Sequence, residues 1–496
     1  MKKLLFNILI IAGVLLLPQS CSEDFLEVAP TQSVAETDVF TTTQNAWAAI
    51  NGVHRLMFQQ HGAMDRAGQG AIMIYNDHMS EDLVPWTTQW FVNAGSRWVA
   101  PTSETADHTW FRYRFYYLLI SNSNMIIHNV MGADGPLRDR EFILGQALAY
   151  RAFAHHNLVQ YYADRYDWNN KPNNQLGVPL MLEPTSEGQP RETVEAVYAS
   201  IMEDFSRAIE LLDGKTVNWD TNTPKSHITA TVARGLKARA ALTMGNWTLA
   251  AQLANQARQG QVLMTGDNLL AGFSNYTLPE IIWSPYHQED QTTYFHSFFA
   301  FMSYNFNSTN IRTNPKAILD RLYHQIPDTD IRKQWFAETA AEARPRIPGN
   351  YTAVDYHSFK FQSVASGDSR GDIPFMRTAE LILMEAEALA RLGQNAQAAQ
   401  VLYELVSTRD PEYTLSTNTG QALLEEVWTQ RRIELWGEGH RFLDLKRNNL
   451  PLDRTNSNHN PAISIVMELP AGHPHWTSLF PRAELERNEH IVQNVH

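Results

Sequence analysis

The chain has 496 residues, a single cysteine and a formal net charge of -13 at neutral pH. An acidic balance of that size argues against nucleic-acid binding and against a purely electrostatic hold on a membrane, and one cysteine excludes an intramolecular disulfide. The length has room for about three average domains, but no Pro/Gly/Ser-rich linker divides the chain, so one composite domain is expected.

At the amino end, Lys2 and Lys3 precede an apolar run from Leu4 to Leu17, and the small Ser20 comes just before Cys21. Residues 1–20 read as a secretory signal peptide, because the run is shorter than the ~20 residues that a membrane-spanning helix needs. Loss of the two lysines lowers the charge to -15. Cys21 resembles the lipid-attachment site of bacterial lipoproteins, where cleavage leaves the cysteine as the acylated first residue; Pro18 stands where that site has leucine. The alternative is an ordinary signal with an incidental cysteine. Ser22, Glu23 and Asp24 resemble the acidic tag that sends such lipoproteins to the cell surface.

Threonines 41–43 are suited to capping a helix, predicted over Gln44–Gln60 with Ala46, Ile50, Val53 and Met57 on one face. From Gly62 to Asp107 the period fails amid glycines, prolines and the aromatics Tyr75, Trp86, Trp90, Phe91 and Trp98. This stretch is expected to be loop with little regular structure, and a loop of that length in a compact domain is a candidate binding surface. Helical period returns over residues 110–130 and 140–166, and again over 192–212. The interval Leu278–Asp372 carries Trp283, Tyr286, Tyr294, Phe298 and Tyr304, and short strands with loops suit it better than helix.

Residues 377–393 form a further predicted helix, with Leu381, Met384, Ala388 and Leu392 at helical spacing, ending at Gly393. A second apolar pattern runs on to Ser407, which makes an antiparallel hairpin. A third helix, from Gln421 to Arg447, is interrupted by Gly437 and Gly439 and sets Arg431 three residues before Glu434, within ion-pair reach. Aligning Gly245 with Gly393 places Ala238 and Ala240 opposite Ala386 and Ala388, and Ala250 and Ala251 opposite Ala398 and Ala399. Small residues around a glycine turn let two helices approach closely, as in tetratricopeptide pairs. The copies are far apart in the chain, so an interrupted scaffold is expected rather than a continuous solenoid.

With these segments in view, the chain resembles the SusD/RagB family of outer-membrane lipoproteins. The resemblance is carried by the opening CSEDFLEVAPTQSVAETDVF, by YRAFAHHNLVQYYAD, by FMRTAELILMEAEALARLG with RRIELWGEGHRFLDLKR, and by the closing FPRAELERNEHIVQN, where Val495 and His496 replace the usual Gly-Tyr ending. It implies a mainly α, SusD-like fold in which four tetratricopeptide-like helical pairs support an irregular, loop-rich half. Residues 21–259 and 260–496 would be its two halves, packed as one domain. It also implies a surface lipoprotein, anchored through Cys21, that captures an oligosaccharide and covers a TonB-dependent, SusC-like transporter, without catalysis or cofactor.

The signature places Glu434, Glu438, His440, Arg441 and Asp444 close together, but an acid/base pair needs two carboxylates with separated pKa values facing a pocket. The neighbouring Arg431, Arg432, Arg441, Lys446 and Arg447 instead predict ion-paired networks. His155 and His156 are adjacent, and His54 and His61 are seven apart, so neither gives a helical zinc pair. Sugar rings need aromatic faces for stacking and nearby polar groups for their hydroxyls. Candidate ligand residues are therefore Asp82, Trp86, Trp90 and Trp98 in the first irregular segment, and Tyr286, Tyr294, Tyr304, Asn305 and Arg312 in the second. Most single aromatics of such segments serve as core or loop anchors. Two other readings are a peptide binder on the same scaffold and a surface glycoside hydrolase.

Overall fold

Helices dominate the chain, and the long ones stack largely in sequence order even where a long segment separates them in the chain. The computed structural model describes residues 39–215, 224–291 and 295–496. The predicted leader, Cys21 and Tyr294 lie outside the described residues.

The first helix, α1 (Thr43–Leu56), begins where Thr42 accepts a hydrogen bond from the Asn45 backbone nitrogen, and it buries Ala46, Ile50 and Val53 as the spacing predicts. The next is a correction. Residues 68–79, expected to be loop, form α2 (Gly68–Met79), a helix buried on every side. Its glycines are close-approach residues: a Cβ on Gly70 would lie 2.6 Å from the Ile373 side chain. Tertiary packing outweighs helix propensity here, and the polar residues are satisfied internally. Asn76 Nδ2 donates to the Tyr161 hydroxyl and to the Gly439 carbonyl, at 2.8 and 2.9 Å.

The remaining long helices are α3 (Asp107–Asn129), α4 (Leu137–Tyr162), α5 (Val194–Leu212), α6 (Ala230–Thr243), α7 (Trp247–Arg258), α8 (Thr378–Arg391), α9 (Asn395–Val406), α10 (Gly420–Glu434) and α11 (Arg441–Arg447). The two predicted hairpins, α6–α7 and α8–α9, turn on Gly245 and Gly393, both with left-handed φ. Ala238, Ala240, Ala386, Ala388, Ala398 and their counterparts are buried between the helices.

The expected interruption exists only along the sequence. In space α4 packs on α3 and α5, α5 on α6, α6 on α7, α7 on α8, and α8 on α9 and α10. Asn255 Nδ2 donates to Glu385 Oε1 at 2.9 Å, and Arg239 Nη2 pairs with Glu380 Oε2 at 2.6 Å, joining the two hairpins directly. The long segment between them leaves this frame and returns to it.

The predicted third helix is two. Between α10 and α11, Gly437 and Gly439 adopt φ near +77° and +79°. A Cβ on Gly439 would meet the Met73 backbone at 2.6 Å, and its N–H donates to Asp77 Oδ2 at 2.9 Å. Only glycine tolerates both that φ and that approach.

Behind this turn lies a buried ionic cluster. Arg377 bonds Glu434 at 3.0 Å and Glu438 at 2.7 Å and also contacts Glu280. Arg409 bonds Glu280 and Glu434 at 2.9 and 3.1 Å, Arg332 bonds Asp330 and Glu434, and Lys360 Nζ bonds Glu438 at 2.6 Å. Four carboxylates meet four cations, so the cluster is neutral overall. Burial would raise the Glu434 carboxyl, but Arg409, Arg377 and Arg332 hold it well below the usual carboxylate range. Ion pairing holds as expected, with different partners: Arg431 Nε reaches Asp444 Oδ2 at 2.7 Å instead of Glu434.

The irregular half is built as expected from short strands. β1 (Leu83–Pro85), β2 (Lys316–Ile318), β3 (Phe336–Ala337) and β4 (His357–Ser358) form one antiparallel sheet in the order β1-β2-β4-β3. No helix among the described residues is long and apolar enough to cross a membrane.

Candidate functional site: an aromatic cleft where two distant loops meet

The pairing of β1 with β2 sets Leu83 opposite Ile318, Val84 opposite Ala317 and Pro85 opposite Lys316. The residues just after β1 are thereby held beside those just before β2. Trp86 and Thr87 donate their backbone N–H groups to Asn314 Oδ1 at 3.2 and 3.1 Å. Gln89 Nε2 donates to Thr313 Oγ1 at 3.3 Å. Thr313 ends a short helix, Thr309–Thr313, that Ser308 caps through its hydroxyl. The other end of the first loop is held by Arg454, a fully buried guanidinium that donates to the carbonyls of His78, Ser80, Ser96 and Val466.

Trp90 sits at φ +49°, a left-handed conformation that costs a non-glycine residue on the order of 1–3 kcal/mol and concentrates at functional sites. Its ring meets Phe301 edge to face at 6.0 Å, and Phe301 meets Phe91 in the same way at 4.9 Å. Phe295, which lines the same cleft as Trp90, lies against buried Phe306 at 5.9 Å. Between them is a cleft of about 510 Å³ that Met64 and Ala300 also line, with Gln89, Ser308, Thr309 and Asn310 as its polar groups. Trp86, Trp90 and Phe295 are 51%, 38% and 47% exposed. Trp86 and Trp90 stand on the anchored loop and Phe295 on the second segment, and rings this open offer apolar faces to a flat partner.

A family model described as "SusD family" matches residues 272–496, and another, described as "Starch-binding associating with outer membrane", matches residues 24–242. The chain belongs to the SusD family. A curated relative, the SusD-like protein P38 of Formosa agariphila, is 24% identical over 488 residues, covering 90% of each chain. Among solved structures, a SusD-like carbohydrate binding protein from Bacteroides vulgatus superposes with a TM-score of 0.78 at 24% identity, over 91% of this chain and 98% of that one. A laminarin binding SusD-like protein superposes at 0.70 with 20% identity, over 92% and 99%. The SusD-like, mainly α fold expected from the sequence is the fold observed.

In this SusD-family chain the predicted ligand residues separate. Trp90 lines the cleft, and Trp86 stands exposed on the same loop. Trp98 is instead a core residue, 2% exposed, packed edge to face on Trp476 at 5.1 Å and on Phe442 at 5.8 Å. The Asp82 carboxylate is buried against Arg432, whose Nε lies 3.1 Å from both oxygens, so it has no free acceptor for a ligand. Tyr286 packs on Tyr276 at 5.0 Å, Tyr304 packs on Phe359 at 5.1 Å, and neither lines the cleft. Asn305 closes its own loop by exchanging hydrogen bonds with the Ser363 backbone. Arg312 Nη2 donates to Thr309 Oγ1 at 3.2 Å from the helix behind the cleft.

Sequence reasoning missed Phe295, Phe301 and Asn310. Among the described residues of its run Phe295 is the exposed ring, while Phe298, Phe299 and Phe301 are buried, and nothing in the residue order marks it out. Among the described residues no group of three His, Cys, Asp or Glu side chains is placed to hold a metal ion. Of the signature carboxylates, Glu434 is fully enclosed by its cations, and Glu438, bonded to Arg377 and Lys360, lines a small cavity of about 80 Å³ beside His440 and Asp444.

Proposed function

We propose that the protein is a surface lipoprotein, anchored through Cys21 to the outer membrane, that captures an oligosaccharide and passes it to a TonB-dependent, SusC-like transporter without cleaving it. The observation that carries this reading is the Trp90–Phe295 cleft. Two exposed aromatic walls with amide and hydroxyl groups between them match a sugar ring, which offers a flat C–H face bordered by hydroxyls. Membership of a family whose amino-terminal model is described as starch-binding supports a glycan over a peptide, and so does the likeness to a laminarin-binding structure. Trp86, beyond the cleft on the same loop, extends the platform along the chain of a longer ligand.

The test is calorimetry of the mature protein with a panel of glycans and peptides, repeated with Trp90→Ala. A glycan that binds the parent protein and loses most of its affinity in the variant supports the reading. Binding of peptides alone, or release of shorter products from a bound glycan, overturns it. Co-purification of a large outer-membrane barrel with the full-length protein tests the transporter partnership.

A further inference from the structure

We infer that the cleft takes an uncharged, hydroxyl-donating sugar segment and excludes uronate and sulfated glycans; this rests on the reading of the cleft as a glycan site. None of the described residues lining it is ionisable. The charges nearest to Met64 in sequence are paired away from it: Asp65 lies 2.7 Å from His108 Nε2, and Arg66 lies 2.8 Å from Asp107. An anionic sugar entering this space would leave its hydration shell for a lining without a charged group, the Arg312 guanidinium being held behind it on Thr309 Oγ1, and an uncompensated charge is the most expensive group to desolvate.

The polar groups agree with that exclusion. Asn310 is buried, its Nδ2 donates to the Ala300 carbonyl at 3.3 Å, and its Oδ1 has no partner. The carbonyl fixes the amide orientation, since the flipped form would set two oxygens against each other. What remains is an acceptor without a donor. A sugar hydroxyl can supply the proton, whereas a carboxylate or sulfate ester has none to give. The chain as a whole carries -13, which repels polyanions before they reach the cleft.

The experiment titrates the mature protein with neutral gluco-, manno- and galacto-oligosaccharides and, separately, with oligouronates and sulfated oligosaccharides. Each titration is run at about 50 mM and about 500 mM salt, where screening of an ion pair differs strongly. The expected result is binding of a neutral member, lost in Trp90→Ala, with an affinity that changes by less than about two-fold with salt. Asn310→Leu, which removes the acceptor at similar size, is expected to weaken that neutral ligand by about ten-fold. Binding of an anionic oligosaccharide that weakens with salt and with Arg312→Gln, and is lost in Trp90→Ala, overturns the inference and leaves the glycan reading standing. If no glycan of either kind binds, both fall.

Discussion

The side-chain oxygen of Asn314 accepts the backbone N–H of Trp86 at 3.2 Å, although the two residues lie 228 positions apart. A buried amide thereby fixes where an exposed tryptophan stands. Replacing Asn314 with alanine leaves the Trp86 and Thr87 N–H groups without an acceptor, a loss of about 1–3 kcal/mol. Glycan affinity is expected to fall in Asn314→Ala while circular dichroism stays unchanged, and Asn314→Asp, which keeps the acceptor, is expected to retain most of it. Equal affinity in all three proteins would separate the loop anchor from binding.

Trp90 combines an exposed ring with a left-handed backbone, and two substitutions pull these apart. Both Trp90→Ala and Trp90→Gly remove the stacking face and are expected to cost roughly 2 kcal/mol of binding, as for other aromatic anchors. The glycine variant should melt at the higher temperature of the two, because only it occupies positive φ without strain. The reverse order of melting would mean that the backbone at Trp90 is not strained.

Glu434, fully buried, is shared by Arg377, Arg409 and Arg332. Glu434→Gln strands part of that positive charge, which typically costs about 3–5 kcal/mol. Urea unfolding should show the loss as a lower midpoint. A variant as stable as the parent would mean that the cluster is not electrostatically coupled.

The buried ionisable groups make stability rise with pH in two separate windows. Burial would raise the Glu380 carboxyl, but Arg239 overrides this and holds it at about 2, against an ordinary 4.5. Its stabilising contribution is complete above 4.5 and disappears as the pH falls toward 2. Glu434, Glu438 and Asp444 are depressed as well and add to the same acid limb. Lys316 acts in the same direction over a higher range: burial lowers it from 10.5 to about 7, and its ammonium donates to the Asn314 carbonyl at 2.7 Å. Its penalty is full below 7 and fades as the pH rises to 10.5. Lys316→Met should therefore gain most stability over the parent below pH 7 and progressively less above it, as read by urea midpoints across the range.

The frame was legible because its cues are local. Glycine turns at Gly245 and Gly393 and alanines at fixed offsets define each hairpin without reference to the rest of the chain. α2 was not legible, since its glycines answer to Ile373 and Met57, residues remote or outside the helix. The same holds for the site. Trp90 and Trp98 both stand in the first irregular segment, both with positive φ, and only packing against Trp476 and Phe442 makes one of them core. The cleft needs β1 beside β2, a pairing of residues far apart in the chain that no periodicity encodes.

Because α7 rests directly on α8, the long excursion between them starts and finishes at neighbouring points on a finished support. Closing such a loop becomes only slowly more costly as it lengthens. The excursion and the Trp86 loop can therefore change together while the helices beneath them keep their places.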